Sequence, residues 1–397
     1  MRQKETTTRR NGEIEIFCFL FDFFVFPISA LPLLRMSVSF RSKGRFMSSP
    51  NKRRKQPTPT LAIDVGGGTQ DILLWQPDTS IENCVKLVLP SQTVVVANRI
   101  RRRTSQGVPI FLTGNLMGGG ACVGALQEHL HAGHFVYAEV GAALTIYDNL
   151  DRVRDLGVTL VKEPPPDAHP VIMGDVDHAA LAEALAPFEV ELPDSYAVAV
   201  QDHGFSPHGS NRLFRFRQWR DFLDRGGRLD QLWYEKPPDY LTRMQAVQRD
   251  LPGALVMDTG AAAILGALCD PTAANKTQEG LLVLNLGNQH AVASLVLDSK
   301  IVGIYEHHTG CLTVAKLHDH LVRFRQGTLS DREVFDDQGH GCVTLPEVKS
   351  MSAFSTVVVT GPQRHLAKSL GYYFAVPYGD MMLSGCFGLI RAATGAI

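Results

Sequence analysis

No two cysteines lie close together in this sequence. The seven thiols, Cys18, Cys84, Cys122, Cys269, Cys311, Cys342 and Cys386, are scattered along 397 residues. That spacing excludes a C-x-x-C zinc ribbon and a clustered iron–sulfur ligand set. The odd count and wide scatter point to reduced, mostly buried thiols in a cytoplasmic protein rather than to a disulfide framework. Charge excess is also missing. Lysine and arginine number 39 against 40 aspartates and glutamates, a net charge of −1, so no global field draws the chain to nucleic acid or to an acidic membrane. The basic run Arg99-Ile100-Arg101-Arg102-Arg103 has no interleaved aromatic residue and reads as a solvated helix face. What remains is an ordinary globular composition, 45% apolar and 20% charged, on a chain long enough for two domains.

The first 57 residues stand apart. Arg2, Lys4, Arg9 and Arg10 precede an apolar run over 16–34, broken by Asp22, Pro27 and Pro32, and a basic stretch then ends in Lys52-Arg53-Arg54-Lys55. Glu13, Glu15 and Asp22, with no small-residue cleavage site, argue against a signal peptide. A single membrane anchor has the required length, and the positive charge after it would keep the main domain in the cytoplasm. Asp22 would then be buried at a cost. The favoured expectation is that translation starts at Met36 or Met47 and that residues 1–57 are an extension outside the fold.

Beyond residue 58 the pattern is α/β. Short apolar runs at 61–63, 71–75 and 85–89 predict three strands, followed by a helix over 91–106, a strand at 110–113, a glycine-rich loop at 114–120 and a helix over 121–131. The order β-β-β-α-β-α recurs from 281: strands at 281–286, 291–297 and 301–306, a helix over 312–325, a strand at 356–359, then helices over 363–370 and 380–393. Val314, Leu317, Leu321 and Phe324 share one face of the 312–325 helix. Two lobes are expected, 58–275 with an insertion at about 135–255, and 276–397. The insertion holds strands at 171–173 and 197–200 and a helical stretch over 211–250. The small-residue helix at 259–268 suits a crossing point between the lobes.

The strongest chemical signal is Asp64-Val65-Gly66-Gly67-Gly68-Thr69-Gln70-Asp71. Three glycines let the backbone curl around an anion, Thr69 adds a hydroxyl, and Asp64 at a strand end can hold magnesium through water. Asp71 either shares that part or shapes the turn. On the motif alone, a glycine-rich hairpin that binds nothing is as good a reading. A second loop, Leu112-Thr113-Gly114-Asn115-Leu116-Met117-Gly118-Gly119-Gly120, runs from strand to helix. Gly114, Asn115, Gly118 and Gly119 could hold a substrate phosphate or carboxylate there, or only let backbones pack closely. In Gln201-Asp202-His203-Gly204, Asp202 is a candidate general base with His203 beside it, or a structural turn. Glu139, at the end of another strand, is a further candidate. His307-His308 and the pair His318 and His320 point different ways on their elements and make poor metal sites.

In order, these pieces resemble the superfamily of acetate and sugar kinases, Hsp70 chaperones and actin. Residues 64–71 look like its first phosphate loop, and 259–268 like its first connecting helix. Leu282-Val283-Leu284-Asn285-Leu286-Gly287-Asn288 resembles the second phosphate loop, Val357-Val358-Val359-Thr360-Gly361-Pro362 the adenosine-contacting turn, and 378–392 the final connecting helix. The resemblance implies duplicated RNase H-like lobes of actin-like ATPase type, with an insertion in the first. It implies ATP and magnesium as cofactors: Gly66, Gly67, Gly68, Thr69, Gln70, Gly287, Asn288, Thr360 and Gly361 on the nucleotide, Asp64 and Asp71 on the metal. It also implies phosphoryl transfer to a small-molecule substrate, with Asp202 and Glu139 as catalytic candidates. The expected partners include no nucleic acid and, the N-terminal segment apart, no membrane. Asn285 stands where the superfamily usually has aspartate, and Pro362 where it has glycine, so a nucleotide-binding or regulatory protein without turnover remains the alternative. Residues 62–72, 112–120 and 201–204 further resemble a prokaryotic family of this fold, some of whose members carry the name of pyruvate formate-lyase activating enzymes. Such an activase needs three closely spaced cysteines, which this chain does not have.

Overall fold

Thr60–Val65 is apolar at 61–63 and 65 and buried at every position but Asp64, as suits a strand covered on both faces. In the computed structural model, which describes residues 57–351 and 353–395, it is the central strand β1 of a six-stranded sheet. The N-terminal segment read as an extension or anchor lies outside the described residues. Among the described residues no helix is long and apolar enough to cross a membrane.

The strands are β1 (Thr60–Val65), β2 (Thr69–Trp75), β3 (Val85–Pro90), β4 (Ile110–Gly114), β5 (Val136–Ala138), β6 (Val158–Leu160), β7 (His169–Met173), β8 (Tyr196–Val200), β9 (Trp233–Tyr234), β10 (Leu255–Met257), β11 (Leu281–Leu286), β12 (His290–Leu297), β13 (Lys300–His308), β14 (Gly341–Thr344), β15 (Thr356–Thr360) and β16 (Tyr373–Phe374). They form three sheets, ordered β3-β2-β1-β8-β10-β9, β14-β13-β12-β11-β15-β16 and β6-β5-β4-β7. The two larger sheets share a pairing pattern. In each, the central strand, β1 or β11, is followed on one side by two successive antiparallel strands (β2 and β3, β12 and β13) and on the other by two parallel ones (β8 and β10, β15 and β16), with β9 and β14 added antiparallel at an edge.

The strand expected at 110–113 is present but lies outside the first sheet: β4 pairs in parallel with β5 and β7 in a separate sheet, and β8 lies beside β1. A parallel partner is reached only through a long crossover, so local pattern fixes that a strand exists but not where it pairs. Tyr196-Ala197-Val198-Ala199-Val200 is the more fully buried of the two and suits an interior position.

Two helices lie where the larger sheets meet. Thr259–Ala267 follows β10 and Ser384–Thr394 closes the described chain, and they pack on each other and on strands of both sheets. Ala62 and Ala199 from one sheet, Val283 and Val358 from the other, and Ile264 and Phe387 from the helices share one core. The approach is close enough to require glycine. A Cβ on Gly266 would lie 1.6 Å from the Ser384 carbonyl oxygen, and one on Gly388 2.0 Å from that of Ala262.

Candidate functional site

Two hairpin turns of equal span face each other. In the first, the Gly66 N–H donates to the Thr69 carbonyl at 2.9 Å; in the second, the Gly287 N–H donates to the His290 carbonyl at 2.9 Å. They meet side to side. A Cβ on Gly67 would fall 2.5 Å from the Gln289 side chain, and one on Gly68 2.9 Å from Asn288 Nδ2. Gly66, Gly67, Thr259, Asn285, Gly287 and Asn288 border two cavities.

The smaller cavity, about 70 Å³, is lined also by Asp64, Thr69, Asp71, Thr360 and Gly361. Asp64 and Asp71 are register partners across the first hairpin. Burial pushes the Asp64 carboxyl up to about 7, opposed by the Thr259 hydroxyl, which donates to Oδ1 at 2.5 Å, and helped by the charge of Asp258. Burial also pushes Asp71 up to about 8, with Asp64 and Asp380 adding to the rise and Thr69 opposing it. Asp71 Oδ1 is buried with no hydrogen-bond partner. The matching register pair of the second hairpin is Asn285 and Val292, so only the first carries charge. Thr360 shares a hydroxyl hydrogen bond with Ser384 at 2.9 Å, and Gly361 has φ 98° over the Leu286 carbonyl. Gln70 lies apart. Its amide donates to the Pro90 carbonyl, and it borders neither cavity.

The larger cavity, about 340 Å³, is walled by residues from both large sheets and from the loops between. Gly118 and Gly119 line it, with Gly118 under the guanidinium of Arg243. Arg243 is in turn held by the buried Asp175 at 2.7 Å. Arg152, stacked on Tyr147, stands at the same wall. Gly114 and Asn115 do not reach the cavity. Gly114 turns tightly against Met173, and the Asn115 amide pairs with Asp250. All four share one loop, but Gly114 ends β4 with Asn115 next to it, whereas Gly118 and Gly119 directly precede the helix Gly120–His131.

The two carboxylates read as catalytic candidates are both engaged by donors of the chain itself. Asp202 borders the cavity, but Oδ1 accepts the Gly204 N–H at 2.8 Å and Oδ2 accepts the N–H groups of Arg243 and Met244 at 2.9 and 3.0 Å, capping helix Thr242–Asp250. Burial raises its pKa and these donors pull it back. Glu139 accepts from Thr113 at 2.6 Å and from Gly114, away from the cavity.

His203 joins a group that sequence spacing does not suggest. His203, His290 and His340 bring one ring nitrogen each within 4.8 Å of one another. His203 Nε2 and His340 Nε2 are 2.9 Å apart. Burial lowers the pKa of both, His340 to about 3, and the neighbouring Arg215 adds to the effect. Glu306, wholly buried, lies 3.2 Å from His290 Nδ1 and accepts from Gln201 at 2.8 Å and from Arg215 at 2.6 Å. Its pKa is well below the usual range: burial works to raise it, and the charges of Arg215 and the histidines overcome that. Of the other histidines singled out, His307 pairs with Asp337, His320 with Tyr305 and His318 with Tyr372.

Mixed sheets flanked by helices, with opposed glycine turns between them, are an architecture of actin-like ATPase type. The family model described as "Putative pyruvate format-lyase activating enzyme (DUF1786)" matches residues 117–366, more than half of the chain, and the chain belongs to that family. Family and sheet order together put it in the acetate and sugar kinase, Hsp70 and actin superfamily. The six cysteines among the described residues are free and no three of them come together, so a three-cysteine iron–sulfur donor set is not formed there. Similar solved structures include the activator of 2-hydroxyisocaproyl-CoA dehydratase from Clostridium difficile with bound ADPNP (9% identity, 85% of this chain and 96% of that one, TM-score 0.31). A Bacteroides thetaiotaomicron protein with actin-like ATPase fold and unknown function is similar at 7% identity, 85% and 99% coverage and TM-score 0.34. The ethanolamine utilization protein EutJ from Carboxydothermus hydrogenoformans is similar at 9% identity, 85% and 91% coverage and TM-score 0.28. No curated protein matches the chain.

Proposed function

We propose that this chain binds ATP and magnesium at the smaller cavity and transfers the γ-phosphoryl group to a small molecule in the larger one. The observation that carries this reading is the shared wall: Gly66, Gly67, Asn285, Gly287 and Asn288 border both cavities, so a group held between the turns is reached from either cavity. The residues fit the cofactor. Gly67 and Gly68 let the second turn come up against the first, and a half-buried and a buried carboxylate, with one unpartnered oxygen on Asp71, suit a hard dication with oxygen ligands. Asp64 and Asp71 would hold the magnesium, and the backbone of 66–69 and 287–288 the phosphates. Thr360 and Gly361 would meet the nucleoside. When bound, ATP supplies the phosphoryl group and magnesium offsets its charge. The chain's part is positioning: Thr259 fixes Asp64, and the two turns exclude water as they close.

On this reading the two large sheets are duplicated lobes, 58–275 and 276–397, of a cytoplasmic protein. The second reading, binding without turnover, is favoured by one observation, the uncharged pair Asn285 and Val292 opposite Asp64 and Asp71. The test is melting temperature and calorimetry of the full chain with ATP, ADP and GTP, each with and without magnesium. ATP with magnesium should stabilise the wild type and not Asp64→Asn. No shift with any nucleotide overturns the proposal, and binding without phosphate release favours the second reading.

A further inference from the structure

The histidine group lies apart from the Asp64 and Asp71 carboxylates and has a different chemistry. His203 follows β8 of the first sheet, His290 opens β12 and His340 precedes β14 of the second. Each is pinned through its own backbone or ring. The His203 carbonyl accepts from Gln218 at 2.9 Å, the His340 N–H donates to the Glu306 carbonyl at 2.9 Å, and His290 Nδ1 faces the Glu306 carboxylate. Two imidazole nitrogens 2.9 Å apart are close to the spacing of neighbouring ligands on one ion. A tetrahedral zinc with Zn–N of about 2.0–2.1 Å spaces its ligand nitrogens at about 3.3 Å. His340 Nδ1 is buried without a hydrogen-bond partner.

We propose that His203, His290 and His340 bind one divalent first-row transition metal of the zinc class, with an open coordination position facing the 340 Å³ cavity. Three features carry it. All three donors are imidazoles, the ligand that zinc, iron, nickel and copper prefer and that magnesium does not. Glu306 stands behind His290 as the carboxylate that orients a metal-bound imidazole, and it is itself fixed by Gln201 and Arg215. His203 and His290 line the cavity while His340 is buried behind them, so the protein would supply three ligands on one side and leave the other to water or substrate. The His308 ring, 4.8 Å from that of His290 and 4.9 Å from that of His340, adds a fourth imidazole at the edge of the group. Such a metal would polarise an oxygen of a substrate in the cavity, and it would tie residues of the two large sheets together.

The test uses the full chain, stripped with chelator and titrated with Zn²⁺ and with Co²⁺ in the absence of nucleotide, so that it is read independently of the nucleotide site. One Zn²⁺ should bind per chain and raise the melting temperature. His203→Ala and His340→Ala should each weaken binding by at least about 100-fold, while His318→Ala, on an exposed helix face, should leave it unchanged. X-ray absorption of the wild-type zinc form should count three imidazoles, a measurement that stands even where a variant fails to fold. Failure to bind stoichiometric zinc, affinity unchanged in both ligand variants, or fewer than two imidazoles on the bound metal would overturn the proposal.

Discussion

Gly385 and Gly388 lie one turn apart on the Ser384–Thr394 helix, and replacing each by alanine separates helix packing from the chemistry of the site. A methyl on Gly385 would stand 1.8 Å from Asp64 Oδ2 and 2.5 Å from its Cγ, whereas one on Gly388 would stand 2.0 Å from the Ala262 carbonyl oxygen. Carbon and oxygen are in ordinary contact at about 3.3 Å, so each methyl overlaps its neighbour by more than ~1 Å. Alanine is the better helix former by about 1 kcal/mol, so any net loss comes from the contact itself. Ala262 sits inside the opposing helix, and its carbonyl cannot turn aside. Gly388→Ala should therefore cost the upper end of the overpacking range, about 3 kcal/mol, or a fall of about 4 °C in melting temperature. Asp64 can rotate, at the loss of its bond from Thr259. Gly385→Ala should then cost only about 1–2 kcal/mol. The magnesium–ATP stabilisation should, however, vanish in Gly385→Ala and persist in Gly388→Ala. The assay is differential scanning calorimetry with and without magnesium and ATP. A Gly385→Ala protein that melts like wild type and keeps the full ligand shift would refute both the close approach and the role given to Asp64.

Two further changes probe the buried charges. Arg215 bridges Asp258 at 2.8 Å and Glu306 at 2.6 Å, so Arg215→Met leaves two buried carboxylates uncompensated and should cost about 3–5 kcal/mol in chemical denaturation; an unmoved midpoint would show that the network does not hold the sheets. Asn285→Asp restores a second carboxylate near the turns and should raise a slow basal phosphate release by about one to two decades at saturating ATP and magnesium. A slower variant would mean that Asn285 is adapted to another ligand.

Local features were legible in the sequence and distant ones were not. The two glycine hairpins are written in consecutive residues, Gly66-Gly67-Gly68 and Leu286-Gly287-Asn288, between apolar runs. The 259–268 helix declared itself by small side chains, because close crossing leaves no space for larger ones. The partner of β1 did not, since β8 lies more than a hundred residues away and any buried apolar run could fill the slot. Asp202 and Glu139 were picked as carboxylates at strand ends. That signal finds acids near a sheet's carboxyl edge but does not tell a base from a cap. The His203 and His340 rings meet across 137 residues, and no spacing rule reaches that far. A usable hint was present nonetheless: His203 follows a sheet strand and His290 follows a glycine turn, and both positions open toward the crevice at the ends of strands.

The two hairpins superpose in register yet differ in donors, and that difference divides the chemistry of the crevice. Asp64 and Asp71 in the first hairpin answer to Asn285 and Val292 in the second. The residue after the turn's second glycine position differs as well: Gly68-Thr69 leads into β2, whereas Gln289-His290 leads into β12. Carboxylates thus gather on the first hairpin, whereas the second brings His290 to meet His203 of the first sheet and His340 of the second. Val292 packs 3.2 Å from where a Cβ of Gly260 would stand, beside the helix that carries Thr259. An added carboxylate at Val292 would be buried against that helix, while the half-buried Asn285 lines both cavities. Of the two missing carboxylates, the one at Asn285 is therefore the one that the fold could take back, which is why the substitution there, and not at Val292, distinguishes a slow enzyme from a binding protein.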